Sequence, residues 1–174
     1  YSDTIEQIVL ADQLGFSSAW LAEAHFDAGF STMPAPLIVA AGLSGRTKNI
    51  RLGIGVSQLP LHNPISVAEQ TATVDILTKG RLDFGVGRGT WNHNFEGFGV
   101  PWEERSTRRE ECIDIIERAW NEESLTYKGK HYQFNSLKVV PTPVQQPGPP
   151  LYIAANSAGT VSYTHLPLTT NREV

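Results

Sequence analysis

Glu23 and His25 stand two residues apart where a short apolar segment turns polar, and a carboxylate beside an imidazole is a pair that can hold or move a proton. The same polarity recurs along the chain. Ser57, Gln58 and His62 follow a second apolar run, Arg88, Trp91, Asn92 and His93 a third, and Asn156 and Ser157 a fourth. Any one of these groups fits a solvated loop, but four runs that end alike point to a shared pocket. Arg88 lies among Gly85, Gly87 and Gly89, where backbone can approach a ligand and a guanidinium can grip phosphate through two parallel hydrogen bonds. Ser157 and Thr160, in Ala-Asn-Ser-Ala-Gly-Thr, offer hydroxyls and backbone N–H groups to the same phosphate, or else simply cap a helix. The glycines match neither a Walker loop nor a dinucleotide fingerprint, which disfavours a nucleoside triphosphate or a Rossmann-bound nicotinamide. Gly55 and Val56 open a stretch whose backbone can lie flat against a ring system. Glu23 and His25 have no third ligand at metal-motif spacing, so no metal is expected, and His62 and His93 read as loop residues.

Such a pocket needs a scaffold that gathers strand ends. Residues 2–14 place Ile5, Ile8, Val9 and the run 11–14 at helical spacing up to Gly15, and residues 16–25 read as a buried strand. Pro34 and Pro36 open a second helix, with Leu37, Ile38, Val39 and Ala40 on its apolar side and Gly45 at its close. Residues 50–59 form the next strand. Pro64 opens a third helix with Val67, Ala68, Ala72, Ile76 and Leu77 inward, and residues 81–88 make a third strand. A loop rich in glycine and asparagine leads to a helix over 102–121, with Cys112, Ile113, Ile116, Ala119 and Trp120 inward. A short hairpin over 125–140, a proline-rich connector over 141–150 and a strand over 151–155 complete the pattern. Strands separated by single helices pair in parallel through right-handed crossovers, so the class is α/β. A (β/α)8 barrel takes roughly 250 residues, so four strands amount to about half of a TIM-type barrel, whose ligands bind at the C-terminal ends of the strands. Half of a closed sheet has two open edges, and a fragment of this kind is expected to be poorly stable alone.

Composition narrows the partners. With 40% hydrophobic and 18% charged residues the chain can build a core. A net charge of −4 without a basic cluster argues against nucleic acid or an anionic membrane, which leaves a small soluble substrate. No apolar run approaches the ~20 residues of a membrane span. Cys112 is the single cysteine, so neither an intrachain disulfide nor a thiolate metal cluster can form, in keeping with a reducing cytoplasmic setting. The chain does not begin with methionine, so a targeting segment could have preceded it.

Several motifs recur in a set order: Trp20-Leu-Ala-Glu-Ala-His-Phe26, Gly45-Arg-Thr-Lys48, Leu59-Pro-Leu-His-Asn-Pro64, Ala68-Glu69, Lys79-Gly-Arg-Leu-Asp-Phe-Gly85 and Gly87-Arg-Gly89. Tyr127-Lys-Gly-Lys-His-Tyr132, the prolines of 141–150 and Leu151-Tyr-Ile-Ala-Ala-Asn-Ser157 continue it. In this order and spacing, residues 1–160 resemble the bacterial luciferase-like flavin-dependent monooxygenases. The resemblance implies reduced FMN, supplied by a flavin reductase, bound at the C-terminal face and used with dioxygen to oxidise a small organic substrate. It also implies a cytoplasmic, dimeric parent protein. Arg88 and Ser157 would hold the phosphate beside the Asn156 and Thr160 backbones. The Gly55–Val56 peptide matches a place where the family can have a cis non-proline bond behind the flavin ring, and Trp91 would border the ring or the substrate pocket. A deazaflavin-dependent oxidoreductase and a non-catalytic flavin-binding subunit are the alternative readings.

One departure matters for chemistry. Family members often carry Glu-His-His-Phe where this chain has Glu23-Ala-His-Phe26, so Ala24 stands where luciferase has its implicated base. The candidate catalytic residues are therefore Glu23 and His25, the latter only if the backbone turns it inward, since neighbours on a strand face opposite ways. Residues 161–174 neither continue the expected helix nor resemble the family, and they are expected to be a foreign tail of the kind left by adaptor read-through.

Overall fold

The computed structural model describes residues 1–154. Strands β1 (Ser18–Leu21), β2 (Arg51–Gln58), β3 (Leu82–Gly87) and β6 (Leu151–Ile153) form one sheet in that order, every neighbouring pair parallel. After α1 (Ser2–Gln13), the crossovers are made by α2 (Pro36–Leu43), α3 (Pro64–Leu77) and α5 (Arg105–Asn121). Strand order follows chain order without reversal, which keeps the helices on one face; a doubly wound sheet would switch direction.

Register sorts the side chains into two faces. Leu21, Ile54, Phe84 and Leu151 lie in one row, flanked by Leu52 beside Leu82 and Val86 beside Ile153. These pack with Val39 and Leu43 of α2, Ala68 and Ala72 of α3, and Ile116 and Trp120 of α5 in one hydrophobic core. The opposite face carries Trp20, Gly53 and Asp83 in one row and Gly85 beside Tyr152 in the next. Trp20 and Tyr152 meet edge to face at 5.1 Å and remain 46% and 45% exposed. A Cβ on Gly53 would sit 2.3 Å from the Trp20 ring, and one on Gly85 2.3 Å from the Ile54 carbonyl oxygen, so glycine is what lets the aromatic ring and the adjoining strand come this close.

The two ends of the sheet do different work. At the N-terminal ends, the Arg81 guanidinium donates to the carbonyls of Ser44, Thr47, Ile50 and Thr78, and Arg51 holds Asp83 through two bonds of 2.7 and 2.8 Å. Asp12 accepts from the backbone N–H groups of Lys48, Asn49 and Ile50, tying the end of α1 to the entry of β2. The Gly45–Lys48 and Lys79–Gly85 motifs are thus stitching for this end. The C-terminal ends carry Glu23, Gln58, Arg88 and Trp91, which line one cleft.

The outlying elements follow local rules. Asn63 caps α3 by accepting from Ile65 and Ser66, with Pro64 at the first helical position. Strands β4 (Leu125–Lys128) and β5 (Gln133–Leu137) form the expected hairpin, apart from the main sheet. The Glu111 carboxylate on α5 accepts from Lys130, His131 and Tyr132 and so fastens its turn. No helix among the described residues is long and apolar enough to cross a membrane.

Four expectations change. The first strand ends at Leu21, so residues 22–25 are irregular chain. The stretch after β3 is not all loop, because Asn92–Phe98 form α4, which buries Phe95 and closes on Gly99 at φ 66°. Pro101 delays the next helix, giving a 3-10 turn over Trp102–Glu104 before α5 starts at Arg105. Ile38, Ile76 and Leu77, read as inward, are exposed. Cys112, Ile113, Ile116, Ala119 and Trp120 are buried as the helical spacing requires.

Candidate functional site

The segment leaving β1 carries Glu23 down among the ends of its neighbours. Glu23 Oε1 meets His25 Nε2 and His62 Nε2, each at 2.9 Å, and Oε2 accepts from the Ser57 hydroxyl at 3.1 Å. Gln58 Nε2 donates to the Glu23 carbonyl at 3.2 Å, and Asn94 Nδ2 of α4 donates to Gln58 Oε1 at 3.0 Å. One carboxylate thus gathers groups from the end of β1, the end of β2 and the turn before α3, and α4 braces it from behind. Phe98 sets its ring edge-on to His25 at 4.9 Å.

Burial pushes the Glu23 carboxyl up, and the hydrogen bonds and charges of His25 and His62 push it down by more, to about 2. Glu23 is therefore a carboxylate, which only accepts. Both imidazoles must then present an N–H at Nε2, and each Nδ1 is left to serve as the other functional atom of its ring.

Glu23 also lines a cleft of about 200 Å³ at the C-terminal ends of the strands, together with Gly55, Val56, Gln58, Arg88 and Trp91. The Gly55–Val56 peptide is cis, and here the pairing of β2 with β3 shifts register. A Cβ on Gly87 would lie 2.7 Å from Val56 Cγ2, and one on Gly89 2.7 Å from the Phe95 ring, so the cleft's floor admits no side chain at either position. Phe30 meets Trp91 edge to face at 4.9 Å across the mouth. Flat backbone, a guanidinium and an aromatic edge suit a phosphorylated planar cofactor. The volume suits only part of one, since cofactor pockets run about 300–1,000 Å³, so this cleft is one wall of such a site.

Of the residues singled out from sequence, the structure brings Glu23, Gly55, Val56, Arg88 and Trp91 together. His25 shares the carboxylate but opens to a separate hollow of about 490 Å³, lined also by Ala24, Phe26, Asp27 and Pro34. Ala24 is buried, its N–H bonded to the Met33 carbonyl. Asn156, Ser157 and Thr160 lie outside the described residues, as does the 161–174 tail. Sequence reasoning passed over His62 as a loop residue, named Gln58 only among the polar groups at strand ends, and missed Asn94 and Phe30 as site members. A signal for α4 was present in Phe95 and Phe98, three apart ahead of Gly99.

Comparison with known proteins identifies the fold and the family. The model of the luciferase-like monooxygenase family matches residues 1–165. The oxygenase component of a flavin-dependent trigonelline monooxygenase from Acinetobacter baylyi is 34% identical over 157 residues, which are 89% of this chain and 43% of that protein. Among solved structures, the monooxygenase RslO1 from Streptomyces bottropensis superposes with a TM-score of 0.85 at 28% identity, over 87% of this chain and 46% of that one. A coenzyme F420-dependent tetrahydromethanopterin reductase from Methanopyrus kandleri shares the fold at 22% identity, with a TM-score of 0.75, over 90% of this chain and 47% of that one. The chain spans less than half the length of each, so its four-stranded sheet is part of a TIM-type barrel. On the extent of the family match and the fold, the chain belongs to the luciferase-like monooxygenase family.

Proposed function

We propose that the protein containing this chain is an FMN-dependent monooxygenase that oxidises a small organic substrate with dioxygen, using reduced flavin from a separate flavin reductase. The observation that carries this reading is the convergence of Gly55, Val56, Arg88, Trp91 and Glu23, from three strand ends, on one cleft whose floor excludes side chains. Arg88 would hold the flavin phosphate and Trp91 would border the ring or the substrate, while the Gly55–Val56 wall would back the ring. Ser157 and Thr160, with the Asn156 backbone, would complete the phosphate grip. Bound reduced flavin supplies the electrons that activate oxygen. The protein's part is to place the ring, to keep bulk water from it, and to hold a proton relay beside it in Glu23 and His25. A relative named as an oxygenase component supports the two-protein arrangement.

The test compares flavins on the protein joined to its native flanking sequence. Arg88→Ala should weaken FMN binding roughly 10- to 100-fold, the worth of a charge-assisted hydrogen bond, and leave riboflavin binding unchanged. Equal loss for both ligands would remove Arg88 from the phosphate. Oxygen consumption with reduced FMN that rises on adding substrate supports the monooxygenase. Tight binding of a deazaflavin in preference to FMN, with hydride transfer indifferent to oxygen, would replace it with the deazaflavin reading.

A further inference from the structure

We propose that Glu23, His25 and His62 form a binding site for a divalent transition-metal ion of the zinc class. Their ligand atoms all lie within 4.8 Å of one another, and the two imidazole Nε2 atoms already converge on a single carboxylate oxygen at 2.9 Å each. An ion at about 2.0–2.2 Å from each of three tetrahedrally disposed ligands requires them roughly 3.4 Å apart. The two histidine–carboxylate pairs would open by about half an ångström, and the two imidazole nitrogens, which lie within 4.8 Å of each other, would settle to the same spacing around the ion. The motif rule misses this set because His62 is 37 residues beyond His25 in sequence and reaches it only through the 3-10 turn Leu59–Leu61 that ends β2.

The surroundings suit an ion as well as the three ligands do. Ser57 Oγ donates to Glu23 Oε2 and fixes the plane of the carboxylate, leaving Oε1 to face both imidazoles. Such outer hydrogen bonds orient ligands and raise affinity. Glu23 and His25 are 3% and 6% exposed at their side chains, whereas His62 is 29% exposed and gives the ion a way in. Two imidazoles and one carboxylate favour zinc, cobalt or iron over magnesium or calcium, and they leave a fourth position open to water or an exogenous ligand. In the loaded state each Nε2 lone pair faces the ion and the ring proton sits on Nδ1.

The experiment titrates the full chain, expressed with whatever sequence flanks it natively and stripped of metal, with Co(II) and then Zn(II). The expected result is one equivalent of Co(II) with the visible absorption of a nitrogen- and oxygen-ligated ion, displaced by one equivalent of Zn(II) and untouched by excess Mg(II). His62→Ala, which removes a part-exposed side chain, should abolish the band, as should His62→Asn and Glu23→Gln. Ser57→Ala should weaken binding about 10-fold. The site does not exist if the unsubstituted protein shows no stoichiometric Co(II) band, or if the band survives His62→Ala and Glu23→Gln. Because the readout involves no flavin, failure of the metal site is distinguishable from failure of the monooxygenase reading, and a bound ion would take over the Glu23 and His25 atoms assigned to a proton relay.

Discussion

A single carboxylate oxygen shared by two imidazoles, as at Glu23, sets the tautomer of both rings, and this is the kind of constraint that one side chain exerts on its neighbours. Cys112 is under a different constraint. Fully buried on α5, its thiol is pushed up by desolvation to about 11, against a weaker downward pull from the Tyr132 hydroxyl. The folded value exceeds the unfolded one, so the folded state keeps a proton that the unfolded chain has lost. Cys112 therefore adds stability fully below about 9, and that contribution falls as pH rises towards 11, by about 1–3 kcal/mol. Urea midpoints measured across this range should fall more gently in Cys112→Ala than in the unsubstituted protein. Burial raises the Tyr127 and Tyr132 hydroxyls too, so the slope shrinks without vanishing. An identical slope in both proteins would show that the thiol titrates normally.

At the scale of elements, the site depends on where helices begin. His62 sits immediately before Asn63, whose side chain caps α3, so the cap that starts the helix also holds the turn bearing the histidine. Asn63→Ala should cost about 1 kcal/mol of stability in chemical denaturation. Asn63→Asp, which keeps the capping oxygen, should restore most of it. A loss of less than a few tenths of a kcal/mol would mean that Pro64 alone starts the helix. Helix α4 serves the same end from the other side, through Asn94 and Gln58 to the Glu23 carbonyl.

At the scale of the whole molecule, the sheet has a finished face and an unfinished one. The face towards the helices is a closed core, whereas the face bearing Trp20, Gly53, Gly85 and Tyr152 leaves both aromatic rings nearly half exposed. In a closed barrel this face is the packed interior. Strands β1 and β6 likewise each have one neighbour here, and unpaired edges invite association. The chain alone should bind a hydrophobic fluorescent dye strongly and self-associate. Joined to a complementary half-barrel, it should lose that dye binding, and Trp20 emission should shift to the blue. Absence of dye binding and a monomeric state by sedimentation would mean that the exposed face is already covered.

Periodicity and punctuation determined the parallel α/β order by themselves, because alternating single helices and buried strands, opened by Pro36 and Pro64 and closed near Gly15 and Gly80, permit few other topologies. The polar strand ends were legible for the same reason, since one end of every strand must face the same way, and Glu23, Arg88 and Trp91 do line one cleft. The tertiary structure alone decided which of these groups touch. His62 meets Glu23 across 39 positions, and no local pattern encodes a contact that depends on how a turn after β2 packs against a segment after β1. Side-chain direction was equally out of reach at residues 22–25, where the end of strand pairing at Leu21 removes the alternation that would predict it. Helix α4 escaped notice because its glycine and asparagines resist helix formation locally, and Phe95, packed beneath the cleft, supplies the burial that overrides them.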